Sequence, residues 1–77
     1  MPTKAFILIE AKVGMVQQVV RSLRALNGVA SADVIRGNYD VIVLVDAADM
    51  SAMADLVTGR IQGVPGVLRT ITCVVAG

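Results

Sequence analysis

Thirteen charged side chains, one cysteine and no histidine carry most of the reactive chemistry open to this 77-residue chain. Two carboxylates recur in register. Glu10 follows Ile7-Leu8-Ile9 and Asp46 follows Val43-Leu44-Val45, and a pair of acids in equivalent places suggests acid–base work. The strands they end are expected to run antiparallel, which sends the two acids to opposite ends of a sheet and removes the dyad. Cys73 has no histidine to activate it and lies in an apolar stretch, so a packed thiol is expected rather than a nucleophile. The same lack of histidine leaves no ligand set for a zinc or copper cage. Gly63-Val64-Pro65-Gly66 has neither the lysine nor the spacing of a phosphate loop. Met15, Met50 and Met53 fall on helical stripes and need no metal to explain them. What remains is Arg36-Gly37-Asn38-Tyr39-Asp40-Val41. Gly37-Asn38 suits a two-residue hairpin turn of type II′, with glycine at the positive-φ position. Tyr39 and Asp40 then open an apolar strand, where a phenol and an acid are costly unless partnered.

The elements that must hold these residues repeat. Ile7-Leu8-Ile9-Glu10-Ala11 returns as Val43-Leu44-Val45-Asp46-Ala47, and Asn27-Gly28-Val29 returns as Pro65-Gly66-Val67. An amphipathic helix lies between the members of each half, so the chain spells β-α-β-β-α-β, the split arrangement of ferredoxin-like folds. The strands are expected near 5–11, 30–36, 39–47 and 68–75. The first and third are unbroken apolar runs and are predicted to be central; the second and fourth mix in polar residues and are predicted at the edges. The first helix, near 15–26, stacks Val16, Val19, Val20, Leu23 and Leu26 on one stripe and ends at Asn27-Gly28. Arg21 and Arg24 lie off that stripe, on the solvent side. Asp49 is the expected N-cap of the second helix, whose buried stripe is Met50, Met53, Ala54, Val57 and Ile61. Gly59 makes its second half irregular, and Gly63 with Pro65 stops it.

Composition narrows the rest. Hydrophobic residues make up 56% of the chain, yet no apolar run approaches the roughly 20 residues of a membrane span. A net charge of +1 supplies no field for nucleic acid or an anionic membrane. The opening Met1-Pro2-Thr3-Lys4 lacks the form of a signal peptide, so a cytoplasmic setting is expected. Two helices cover only one face of four strands, while the central strands are apolar on both. Either Ile7 and Ile9 or Phe6 and Leu8, with alternate members of Val41–Val45, must face outward. At about 25 cal/mol per Å² of apolar surface, sheet-to-sheet packing with a second copy is the simplest outcome.

The ordered set Ala5-Phe6-Ile7-Leu8-Ile9, Leu26-Asn27-Gly28-Val29, Gly37-Asn38-Tyr39-Asp40, Ile61 through Pro65-Gly66-Val67, and Arg69-Thr70-Ile71-Thr72 resembles the Lrp/AsnC family of feast/famine regulators. The likeness is to that family's C-terminal amino-acid-binding regulatory (RAM) domain and covers almost the whole chain. It implies a ferredoxin-like domain that dimerises through its sheet, assembles further into rings of dimers, and binds amino-acid effectors between subunits. Carried over by position, Gly37, Asn38, Tyr39 and Asp40 border the effector site, and Thr70 and Thr72 face the same cleft. Asp40 would accept from the effector ammonium, while backbone N–H groups near the turn and the two hydroxyls would serve its carboxylate. Thr70 and Thr72 are equally well read as ordinary strand residues. No cofactor is implied. Full-length members begin with a helix-turn-helix domain, whereas this chain begins at the first regulatory strand, so a single stand-alone domain over 1–77 without direct DNA binding is expected. The expected role is an effector-binding regulatory module, not an enzyme. Its alternatives are a structural subunit joining full-length regulators and, more remotely, a small cofactor-independent enzyme of the same fold.

Overall fold

Strand register decides which side chains the helices cover. The computed structural model describes residues 2–76. Four antiparallel strands, β1 (Thr3–Ala11), β2 (Val29–Val34), β3 (Val41–Ala47) and β4 (Val67–Val74), lie in the order β2-β3-β1-β4. Helix α1 (Val16–Arg24) joins β1 to β2. Helix α2 (Met50–Leu56), continued by a π turn at Val57–Ile61, joins β3 to β4. This is the ferredoxin-like topology that the repeat implies, with the two apolar runs at the centre.

Directly opposed residues in an antiparallel pair share a face. Ile7 lies between Val43 and Thr72, and Ile9 between Val41 and Thr70. That face meets the helices: Ile7, Ile9, Val41, Val43 and Val45 are completely buried against Val19, Leu23, Met53 and Ile61. Phe6 lies between Leu44 and Cys73, and Leu8 between Ile42 and Ile71, on the face the helices leave open. Phe6 is 42% exposed there and Ile71 43%. The second-face apolar residues are thus Phe6, Leu8, Ile42 and Leu44 rather than Ile7 and Ile9.

Asp49 caps α2 as its sequence suggests, its Oδ1 accepting from the Ala52 N–H at 2.8 Å. The stripe of α2 differs from the expected one. Met50 is 54% exposed and Ala54 is exposed, while Leu56 is buried beside Met53 and Val57. Leu56 seats on Gly28, where a Cβ would stand 3.0 Å from its Cδ2, so the missing side chain of Gly28 sets the helix rotation. The irregularity expected near Gly59 appears as the π turn. Arg24 also departs from a purely solvated face: its Nε donates to the Ala32 carbonyl at 2.9 Å and its guanidinium lies 3.6 Å from Asp33.

The two -Gly-Val- turns do equivalent work. Gly28 accepts from the Asp46 N–H at 2.8 Å and Gly66 from the Lys12 N–H at 2.7 Å, each docking the end of a central strand onto the start of an edge strand. Both glycines have positive φ, 93° and 96°. At Gly66 a Cβ would fall 2.9 Å from Val19 Cγ2 and 3.1 Å from the Met15 side chain. Gly66→Ala therefore combines left-handed strain with a core clash and is expected to cost about 1–3 kcal/mol in denaturant unfolding. Gly59→Ala, with nothing within 4 Å of its Cβ position, is expected to be neutral or slightly stabilising.

Candidate functional site

The loop between β2 and β3 is wider than a two-residue turn. The strands pair last at Val34 and Val41, and the Ile35 N–H donates to the Asp40 carbonyl at 2.9 Å. Gly37 does take positive φ (143°), and Asn38 lies beside it, exposed. While its carbonyl serves the β2 side, Asp40 also binds β1. Its N–H donates to the Ile9 carbonyl at 2.9 Å, and its Oδ2 accepts from the Ala11 N–H at 2.8 Å. A side-chain oxygen thus replaces the main-chain carbonyl that would have continued the β1–β3 pairing. The acid that looked costly at the mouth of a central strand has a backbone partner. Tyr39 is half-buried next to it.

Beyond Asp40 the end of β1 is irregular. Its register with β4 shifts between Glu10 and Ala11, and Glu10 accepts from Arg69 on β4 at 3.2 Å. Asp46 sits at the far end of the sheet opposite Lys4, so Glu10 and Asp46 are kept apart as their strand directions require. Cys73 is exposed on the open face opposite Phe6, not packed away.

The six residues expected to border an effector fall into two groups. Gly37, Asn38, Tyr39 and Asp40 stand at the β3 side of Ile9. Thr70 stands directly across Ile9 on β4, with Thr72 two residues further along the same face and opposite Ile7. Two strand spacings, about 9–10 Å, separate the backbones of β3 and β4 within one protomer, and the Asp40 side chain crosses part of that gap to reach Ala11. Thr70 and Thr72 share the helix-side face, but the helices lie mainly over β2 and β3, so Thr72 is exposed and Thr70 half-buried.

Thr70 also has a partner that the sequence does not announce. Gln62, at the end of the π turn, donates from Nε2 to Thr70 Oγ1 at 3.1 Å. Together with Val67, Leu68 and Arg69 they line a half-open groove of about 310 Å³. Only the one-residue offset of the π turn brings Gln62 over β4, which periodic reading of the helix does not show. Among the described residues no cluster of acids and cysteine suits a metal ion.

Asp40→Ala is expected to lose the Ala11 hydrogen bond and expose its N–H, costing about 1–3 kcal/mol. Amide hydrogen exchange should then speed up at Ala11 while Ile7 and Val43 stay protected. Unchanged protection at Ala11 would mean the carboxylate does not hold the strand end.

A family model described as the Lrp/AsnC ligand-binding domain matches residues 4–76. No curated protein matches the chain. Among solved structures, TTHA0845 from Thermus thermophilus superposes with a TM-score of 0.92 at 32% identity, over 97% of this chain and 94% of that one. The hypothetical protein PHS023 from Pyrococcus horikoshii superposes with a TM-score of 0.90 at 30% identity, over 99% of this chain and 90% of that one. A feast or famine regulatory protein from M. tuberculosis, Rv3291c complexed with L-methionine, gives 0.80 at 25% identity, over 97% of this chain but only 50% of that one. By the family model and by these structures, the chain belongs to the Lrp/AsnC family, as its ligand-binding domain.

Proposed function

We propose that this chain is an effector-sensing regulatory module that pairs through the open faces of two sheets and binds an amino acid between protomers. The open face carries the first part. Phe6, Leu8, Ile42, Leu44 and Ile71 form an apolar surface rimmed at one end by Lys4 and Asp46 and at the other by Glu10 and Arg69. Apolar area of this kind is stable when covered, and a second copy offers a surface of the same character. Further association of such dimers into rings extends the same reading, as does a cytoplasmic setting. Among the described residues no helix is long and apolar enough to cross a membrane.

Membership of a ligand-binding family and the L-methionine complex of the M. tuberculosis relative support the second part. The ammonium nitrogen and the carboxylate carbon of an α-amino acid are bonded to one and the same carbon. Asp40, at the mouth of β3, and Thr70 on β4 are separated by β1, on opposite flanks of Ile9. In this reading the hairpin Gly37–Asp40 of one protomer and the Thr70/Thr72 strand of another, on its helix-side face and so outside the paired sheets, supply the two ends of the site. Asp40 accepts from the ammonium while Oδ2 keeps Ala11, since a carboxylate has room for both. The threonine hydroxyls donate to the effector carboxylate.

Two measurements test these parts separately. The protein should sediment as a dimer or larger species at micromolar concentration. Ile42→Asp, on the open face, should give a folded monomer, whereas Val43→Asp, fully buried under the helices, should unfold the chain. A well-folded wild-type monomer would overturn the pairing. In a thermal-shift screen of the twenty amino acids, at least one should raise the melting temperature by mass action. Asp40→Asn keeps an acceptor for Ala11 but removes the charge, so affinity should fall by about tenfold, near 1.4 kcal/mol, with the assembly intact. If no amino acid binds below millimolar levels, the sensing role fails; if binding is indifferent to Asp40→Asn, the placement of the ammonium fails.

A further inference from the structure

The π turn gives Gln62 a position that a regular helix would deny it. The Gln62 N–H donates to the Val57 carbonyl, five residues back, at 2.9 Å. One extra residue in a turn rotates everything after it by about 100° around the helix axis. With that offset Ile61 drops fully into the core and Gln62, the next residue, reaches β4. Insertions of this sort recur at functional sites. Here the insertion brings a carboxamide against Thr70 at the wall of the groove of about 310 Å³, the lower end of the range of small-ligand clefts.

The groove is polar but nearly neutral. Arg69 borders it, but its guanidinium turns to Glu10 at 3.2 Å on the open face. Gln62 has two N–H donors and one carbonyl acceptor. One N–H goes to Thr70, so the other and the carbonyl are the groups it can turn to a ligand. Resting on the effector-binding reading above, we infer that Gln62 is the specificity-determining residue, and that the groove selects an amino acid whose side chain both donates and accepts hydrogen bonds, a carboxamide foremost. Two carboxamides pair reciprocally, each giving one N–H and taking one. A thioether or an alkyl chain in the same place leaves the Gln62 amide desolvated and unpaired, and sites built around hydrogen bonds discriminate strongly against such analogues. The preference therefore differs from the methionine bound by the M. tuberculosis relative.

The test uses the full chain, wild type and Gln62→Leu, titrated by calorimetry with glutamine, asparagine, methionine and leucine. Gln62 is exposed, so the substitution should leave the unliganded melting temperature nearly unchanged. The wild type should bind glutamine or asparagine at least tenfold more tightly than methionine or leucine. Gln62→Leu should move that ratio by tenfold or more toward the apolar pair. A purely structural role would weaken all four ligands alike and leave the ratio fixed, which would overturn the assignment, as would a wild-type preference for methionine or leucine. If an amino acid binds and the ratio ignores Gln62, only this inference falls. If none of the twenty amino acids binds in the thermal-shift screen, the effector reading falls and this one with it.

Discussion

A sheet that is apolar on both faces, with helices for only one, is the constraint on which this molecule turns. In β1 and β3 every residue from Ala5 to Ile9 and from Val41 to Val45 is apolar, so no register could have given the sheet a polar outer face. Pairing selects which set goes inward. The β-branched Ile7, Ile9, Val41, Val43 and Val45 go under the helices, and Phe6, Leu8, Ile42 and Leu44 go out. Burial of that outer set by another chain, as proposed, turns a surplus of hydrophobicity into the means of assembly. It also fits a chain of 77 residues whose single cysteine allows no internal disulfide, since oligomerisation is a usual aid for so small a core.

Asp40 links that framework to the hairpin. Its N–H joins the β1 ladder through Ile9 and its side chain extends the ladder through Ala11, so the loop is anchored to the central strand as well as, through the Ile35 N–H, to the end of β2. The same strand end bends at Glu10 and carries the ion pair to Arg69 on β4. Hairpin and groove lie on opposite sides of one strand terminus.

Much of this was legible in the residues because each half of the chain repeats the same period. Apolar runs, helical stripes and two -Gly-Val- turns agreed with one another, and agreement across levels marks a sequence with one fold. Hairpin width was not legible, because nothing local announces that the Asp40 side chain takes the Ala11 amide on β1. The rotation of α2 was missed for a similar reason. Met50 and Leu56 are equally apolar, and only the contact of Leu56 with Gly28, distant in sequence, decides between them. Thr70 and Thr72 lie on β4, the strand expected for them, on its helix-side face. Their separation from Asp40 follows from strand order, and the Gln62 contact follows from an i to i+5 turn that a 3.6-residue period cannot represent. The resemblance supplied a set of positions; the strand order distributes them between the β2–β3 hairpin and β4.

Because β1 and β4 are antiparallel neighbours, the first and last strands begin and end side by side. Ala5 opposes Val74, and the Val75 N–H donates to the Lys4 carbonyl at 2.9 Å. Both ends of the described chain therefore emerge at the end of the sheet farthest from the Gly37–Asp40 hairpin. A fluorophore, affinity tag or whole protein grafted at either end projects away from the loop and leaves it accessible. A short tether between the ends would also close the chain into a ring, so that the polypeptide could be reopened at Gly37-Asn38 with the strand order unchanged. The hairpin would then become a pair of free ends, and any property that depends on its continuity could be separated from those that depend on the sheet.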